Sequence, residues 1–137
     1  MSFRSRIVVE NAVRRYILGF GKARSRVSSY MPLVASVARA TLSDVIDCID
    51  RGSCPYCGKV FRSRRSIATH VLKSHRDELG SDIARVVDVY RGLVAMLIKR
   101  SSRVSVDLNG VKLSGNKTLV AKEIQRNPGV LRELGLV

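Results

Sequence analysis

Tryptophan is absent from this chain, glutamine occurs once, and asparagine occurs four times in 137 residues. That shortage, beside many arginines and valines, points to a thermophilic source. Long apolar runs are missing too: the longest clear one, Leu93 to Ile98, is far too short to span a bilayer. The first residues, MSFRSRIVVENAVRRY, are basic but hold no long apolar segment followed by a small-residue cleavage site, so no signal peptide is read. The protein is expected to remain inside a cell, or inside something assembled in one. Internal repeats and low-complexity segments are also absent. Apolar residues nevertheless make up 45% of the chain, which is enough for a real core and argues against wholesale disorder.

Acidic residues are scarce. Eleven stand against 25 Lys and Arg, giving a net charge of +14 and a pI near 10.7, a balance that attracts polyanions. The excess is not spread evenly. Residues 1–39 carry eight bases and one acid, and residues 53–76 carry six bases and no acid, whereas the rest is close to neutral. Eighteen of the 25 bases are arginine, the better bidentate partner for phosphate. A surface charged only for solubility mixes its signs; two segregated basic zones instead predict nucleic-acid binding, with Arg14, Arg15, Lys22, Arg24 and Arg26 in the first.

Val9, Ala12, Val13, Tyr16, Ile17 and Phe20 recur at helical spacing, with Arg14 and Arg15 on the other side. The glycines and serines of residues 19–29 predict an exposed basic connector. A second helix is expected from Pro32 along Val34, Val37, Ala38, Leu42, Val45, Ile46 and Ile49, with Gly52 as its stop. Cys48 lies near that stripe and reads as a small core residue. Asp44, Asp47 and Asp50 read as a solvated acidic face, or as charge neutralisation against a basic neighbour, rather than as catalysts. Ser81 is expected to cap a helix with the stripe Ile83, Val86, Val87, Tyr90, Val94, Leu97 and Ile98. Alternating residues around Asn109-Gly110 predict a β-hairpin pairing Leu108 with Val111, Val106 with Leu113 and Asp107 with Lys112. A short helix is expected over Leu119 to Gln125, then a last one capped by Asn127-Pro128 and running through Leu134.

Residues 54–75 read CPYCGKVFRSRRSIATHVLKSH and hold two of the three cysteines and both histidines. Cys54-x2-Cys57 and His70-x4-His75, twelve residues apart, have the ligand spacing of a zinc site. Two thiolates from a tight knuckle and two imidazoles one helical turn apart close a tetrahedron around Zn²⁺. Here the sequence resembles the CCHH zinc-finger family. Phe61, four residues after the second cysteine, and Ile67, three before the first histidine, stand at the family's two small-core positions. The resemblance implies a small ββα finger. It covers about 22 residues; Gly52 replaces the usual aromatic residue before the first cysteine, and no second finger follows. The implied base-facing positions are Ser63, Arg65, Ser66 and Thr69, of which only Arg65 can clamp guanine. Lys59, Arg62, Arg64, Lys73 and Arg76 surround them and suit phosphate.

The expected fold is therefore mainly α with a small ββα zinc finger and a C-terminal β-hairpin, α+β overall. Its expected parts are basic N-terminal helices (1–52), the finger (53–76), and a helix, hairpin and short C-terminal helices (77–137). The expected function is a non-enzymatic structural nucleoprotein that coats or packages double-stranded DNA, on DNA inside the cell or inside a virion. In style it resembles small single-finger proteins of archaea and their viruses. The alternative is a sequence-specific transcription regulator acting as a dimer, with the helix at 83–98 as its interface. Self-association or a related protein chain is the expected second partner. An enzyme is the least expected, since a four-ligand metal sphere has no open position for water.

Overall fold

The computed structural model describes the backbone of residues 8–99, 103–108, 111–127 and 129–136, and the side chains of 8–19, 21–96, 120–127 and 129–136. Helices α1 (Val8–Leu18), α2 (Phe20–Tyr30), α3 (Pro32–Thr41) and α4 (Ser43–Asp50) lead into the knuckle, and α5 (Arg64–Ser74) and α6 (Arg76–Lys99) follow it. Strands β1 (Arg103–Leu108) and β2 (Val111–Asn116), then α7 (Lys117–Arg126) and α8 (Val130–Glu133), complete the order. Among the described residues no helix is long and apolar enough to cross a membrane.

The expected α+β class is corrected to a helical one. Of the residues whose backbone and side chains are both described, 79% are helical and none belongs to a strand. The ββα finger is corrected as well, because its ββ half is reduced to a single antiparallel bridge, Ser53 with Val60. Gly52 explains why. The Gly52 amide donates to Ile49 and the Ser53 amide to Cys48, a Schellman ending of α4 that requires the left-handed φ of +83° at Gly52. A residue closing a helix in that conformation cannot also be extended strand, so the first strand has no room to form. The hairpin expected around Asn109-Gly110 falls on residues whose side chains, and at 109–110 whose backbone, lie outside the described residues. The backbones of β1 and β2 pair antiparallel, with Leu108 opposite Val111.

The connector expected over 19–29 is instead α2, kinked at Gly21 (φ 8°, ψ −104°). Glycine at position 19 serves packing: a Cβ there would meet the Arg15 carbonyl oxygen at 2.3 Å and the Ala23 Cβ at 2.5 Å. The single helix expected from Pro32 to Gly52 breaks at Leu42 (φ −120°, ψ 32°), whose buried side chain stays in the apolar stripe on both sides of the break. Ser81 lies inside α6, which begins five residues earlier. Asn127 does not cap the last helix; its side-chain amide donates back to the Glu123 carbonyl, and Gly129 takes the N-cap position. Pro128 lies outside the described residues.

One apolar cluster joins Val9, Val13 and Ile17 of α1, Leu33, Val34 and Val37 of α3, Ile46 and Ile49 of α4, Ile67 and Val71 of α5, and Ile83, Val86, Tyr90 and Val94 of α6. Of the α6 stripe expected to serve a dimer, Ile83, Val86, Tyr90 and Val94 are buried in the chain's own core.

Two carboxylates from the C-terminal segment cap N-terminal helices. Glu133 accepts the Val9 amide on both oxygens at 2.9 and 3.0 Å, and the Glu10 amide at 3.2 Å. Burial nevertheless raises its pKa to about 7, against the pull of those amides. Glu123 is 1% exposed and accepts the Leu33 amide at 2.6 Å and the Tyr90 hydroxyl at 2.5 Å. Each satisfies amides that a helix start leaves without intrahelical partners, and each places a carboxyl at the positive end of the helix dipole.

Replacing Glu123 by Ala leaves the Leu33 amide and the Tyr90 hydroxyl buried without an acceptor. We expect a loss of roughly 2–4 kcal/mol by urea unfolding, with Glu123→Gln, which keeps one acceptor oxygen, losing clearly less. Equal small losses for both variants would remove the capping role.

Candidate metal centre and its basic surroundings

The knuckle starts where α4 ends. The Cys54 amide donates to the Lys59 carbonyl at 2.8 Å, the Gly58 amide to the Cys54 carbonyl at 2.9 Å, and the Phe61 amide to the Gly52 carbonyl at 2.8 Å. These bonds fold Cys54 and Cys57 to one side, and the left-handed Gly58 (φ +77°) makes the turn possible. Helix α5 begins at Ser63, whose hydroxyl oxygen accepts the Ser66 amide at 3.1 Å, a side-chain N-cap. It ends at His75, whose amide still bonds to the Val71 carbonyl. Ile67 and Val71, four residues apart, turn one face of α5 into the core and leave His70 and His75 facing the knuckle.

The four ligand atoms, one each from Cys54, Cys57, His70 and His75, lie within 4.8 Å of one another. The edge of a tetrahedron with metal–ligand bonds of 2.0–2.3 Å is about 3.3–3.8 Å, so the cluster can hold a metal ion after a small contraction. His70 Nε2 is 3.4 Å from Cys57 Sγ. His75 Nδ1 donates to Glu78 Oε1 at 2.7 Å, which leaves Nε2 free to ligate and sets the ring's orientation. The thiols differ. Burial raises Cys54, whereas the Lys59 amide, then the two imidazoles, bring exposed Cys57 down to about 6. A thiol of that kind gives up its proton to a metal readily.

The knuckle is braced from the side. Tyr56 donates to Asp82 Oδ2 on α6 at 2.6 Å, and Arg85 bonds the other oxygen of Asp82 at 3.1 Å. The Phe61 ring lies 4.7 Å from that of His70, and buried Ile67 sits in the shared core. Sequence reasoning missed Glu78, Tyr56 and Asp82. Glu78 carried a signal, since it stands one helical turn after His75; Asp82 carried none, because its partner lies across the fold.

The expected phosphate-binding residues divide into three groups. Arg15, Lys22, Arg26, Lys59, Arg62, Arg64, Arg65, Lys73 and Arg76 are exposed. Arg14 is half-buried, with one nitrogen on Asn11 at 2.7 Å. Arg24 is committed internally: it donates to the Tyr16 and Ile17 carbonyls at 2.8 and 3.2 Å and pairs with Asp50 at 3.0 Å. It therefore caps the end of α1 and ties that helix to α4. Asp47 pairs with Arg39 at 3.5 Å, so two of the three aspartates of α4 neutralise basic neighbours. Of the four positions that the resemblance makes base-facing, all exposed, Ser63 and Ser66 bond each other at 2.7 Å.

Because Ile67 and Val71 share a core with Ile46, Ile49 and Leu79, losing the metal should disturb more than the knuckle. Chelation or Cys57→Ser is expected to lower amide-exchange protection across residues 54–75 and into the end of α4 and the first turns of α6. Elemental analysis should find about one metal ion per chain, as four ligands closing a single sphere require. Metal-free protein with unchanged protection would remove the site.

No protein-family profile, no curated protein and no solved structure matches this chain, so what stands of the finger resemblance is a two-cysteine, two-histidine cluster able to hold a metal ion.

Proposed function

We propose that this chain is a non-enzymatic nucleoprotein that coats or packages double-stranded DNA, and that its Cys54–Cys57–His70–His75 cluster holds a structural Zn²⁺. The reading is carried by one observation above all: Arg15, Lys22 and Arg26 of the first zone and all six bases of residues 53–76 are exposed. Exposed charge of one sign, gathered in this way, attracts an external polyanion. Thiolate and imidazole donors in equal number suit zinc, and four of them leave no position for a reacting water. Bound zinc would supply folding energy rather than chemistry. With Ser63 and Ser66 engaged in the helix cap, the knuckle and α5 offer many phosphate contacts and little base readout. Such a protein would act on DNA inside the cell or within a virion.

Neutralising Arg14, Arg15, Lys22 and Arg26 together is expected to reduce the salt dependence of duplex binding by about 3 to 4 log units per decade, equally on every sequence. Arg24 is left unchanged because it also anchors α1 and α4, so its loss would disturb the fold. An unchanged slope would mean that this zone faces protein or solvent.

Arg65 separates coating from regulation. In a coating protein, Arg65→Ala costs little and the same on all duplexes, as Arg62→Ala or Lys73→Ala does. A loss of roughly 1–3 kcal/mol confined to one preferred sequence would instead put a sequence-specific regulator first.

A further inference from the structure

The two basic zones are separated in the sequence by an acidic stretch, residues 40–52, yet the fold brings one arginine of each to a single recess. The recess, about 810 Å³, opens between α2 and the start of α5, with Arg24 from the first zone and Arg64 from the second in its walls. Ser25, Ser28 and Ser29 also line it. Their spacing places them on one face of α2, and all three are exposed.

We propose that this recess seats a backbone phosphodiester of duplex DNA, so that the N-terminal helices and α5 grip one continuous stretch of duplex. The inference rests on the DNA-binding reading above and adds to it where the strand crosses. The chemistry of the walls fits the group. Serine hydroxyls and guanidinium N–H groups donate to non-bridging phosphate oxygens. Arg24 is held in place by the α1 carbonyls and by Asp50, so it needs no reordering when an anion arrives. Asp50 also lines the recess, where it pairs with Arg24. Exposed Lys22 and Arg26 on α2, and Arg62 and Arg65 at the finger, continue the positive surface from the two helices that flank the recess. A small anion would leave them unneutralised, whereas a strand with regularly spaced phosphates reaches them.

The test uses the full-length, metal-loaded chain and fluorescence anisotropy on a random-sequence duplex across a salt series. Ser28→Glu places a carboxylate in the recess; Ser36→Glu, at an exposed position of α3 outside it, carries the same charge change. We expect Ser28→Glu to weaken binding about tenfold or more and to flatten the salt slope by about 0.9 log units per decade, one phosphate contact, while Ser36→Glu stays within about twofold of the unaltered chain. Should Ser28→Glu lower the thermal midpoint, Ser25→Ala/Ser28→Ala carries the test, with a loss of about three- to tenfold expected at an unchanged midpoint. Equal losses for Ser28→Glu and Ser36→Glu, or no loss in the recess variants, overturn the inference and leave the DNA-binding reading standing. If the unaltered chain does not bind duplex at all, both fall.

Discussion

A single buried carboxyl organises this fold. Glu123, on α7, accepts from the first turn of α3 and from Tyr90 on α6. Those two helices are the arms between which the knuckle and α5 are inserted: α3 leads through α4 into Cys54, and α6 leaves from His75. Tying the arms together closes a chain loop around the metal cluster, and a closed loop restricts the ways its contents can be arranged. Glu133 repeats the device on α1. The C-terminal segment thereby supplies amide acceptors that the N-terminal helices do not supply for themselves.

This arrangement changes what the knuckle and α5 are. A small metal-bound unit on its own has too little apolar surface to hold a fold without its ion. Here Ile67 and Val71 contribute to the same cluster as Ile17, Val37 and Tyr90, so an ion bound at the cysteines and histidines would share the support of one core. The Tyr56–Asp82 bond adds a polar brace on the side facing α6. The basic face of α5 is accordingly carried by a large body, and its exposed arginines stand in a fixed relation to those of α2.

What could be read from the sequence is what is local. The metal ligands are legible because a knuckle and one helix supply all four within 22 residues, and the spacing that tetrahedral chemistry needs is written directly in the chain. The apolar stripes of α1, α3, α4 and α6 are legible for the same reason. Helix α2 was not, because Gly19 and Gly21 look like breaks; at Gly19 the missing side chain instead serves a close approach to α1. The interruption at Leu42 carries no proline or glycine to announce it. Glu123 sits in KEIQR, a stretch that looks like any solvated helix surface, and only Leu33 and Tyr90, 90 and 33 residues away, make it a core residue. The strand expected before Cys54 fails at Gly52, where two local signals compete and the helix ending wins.

His75 stands between α5 and α6, in neither helix but bonded into both. Its amide completes α5 and its carbonyl accepts the Leu79 amide of α6, while its ring belongs to the metal cluster and its Nδ1 is held by α6 through Glu78. An ion held there would sit at the elbow of a lever whose long arm, α6, is clamped in the core. The short arm is α5, about 16 Å long at 1.5 Å per residue. A tilt of about 10° at the elbow would swing its free end, which bears Arg64 and Arg65, by about 3 Å, as far as one hydrogen bond reaches. Coordination at one atom would thus fix the aim of side chains a helix length away.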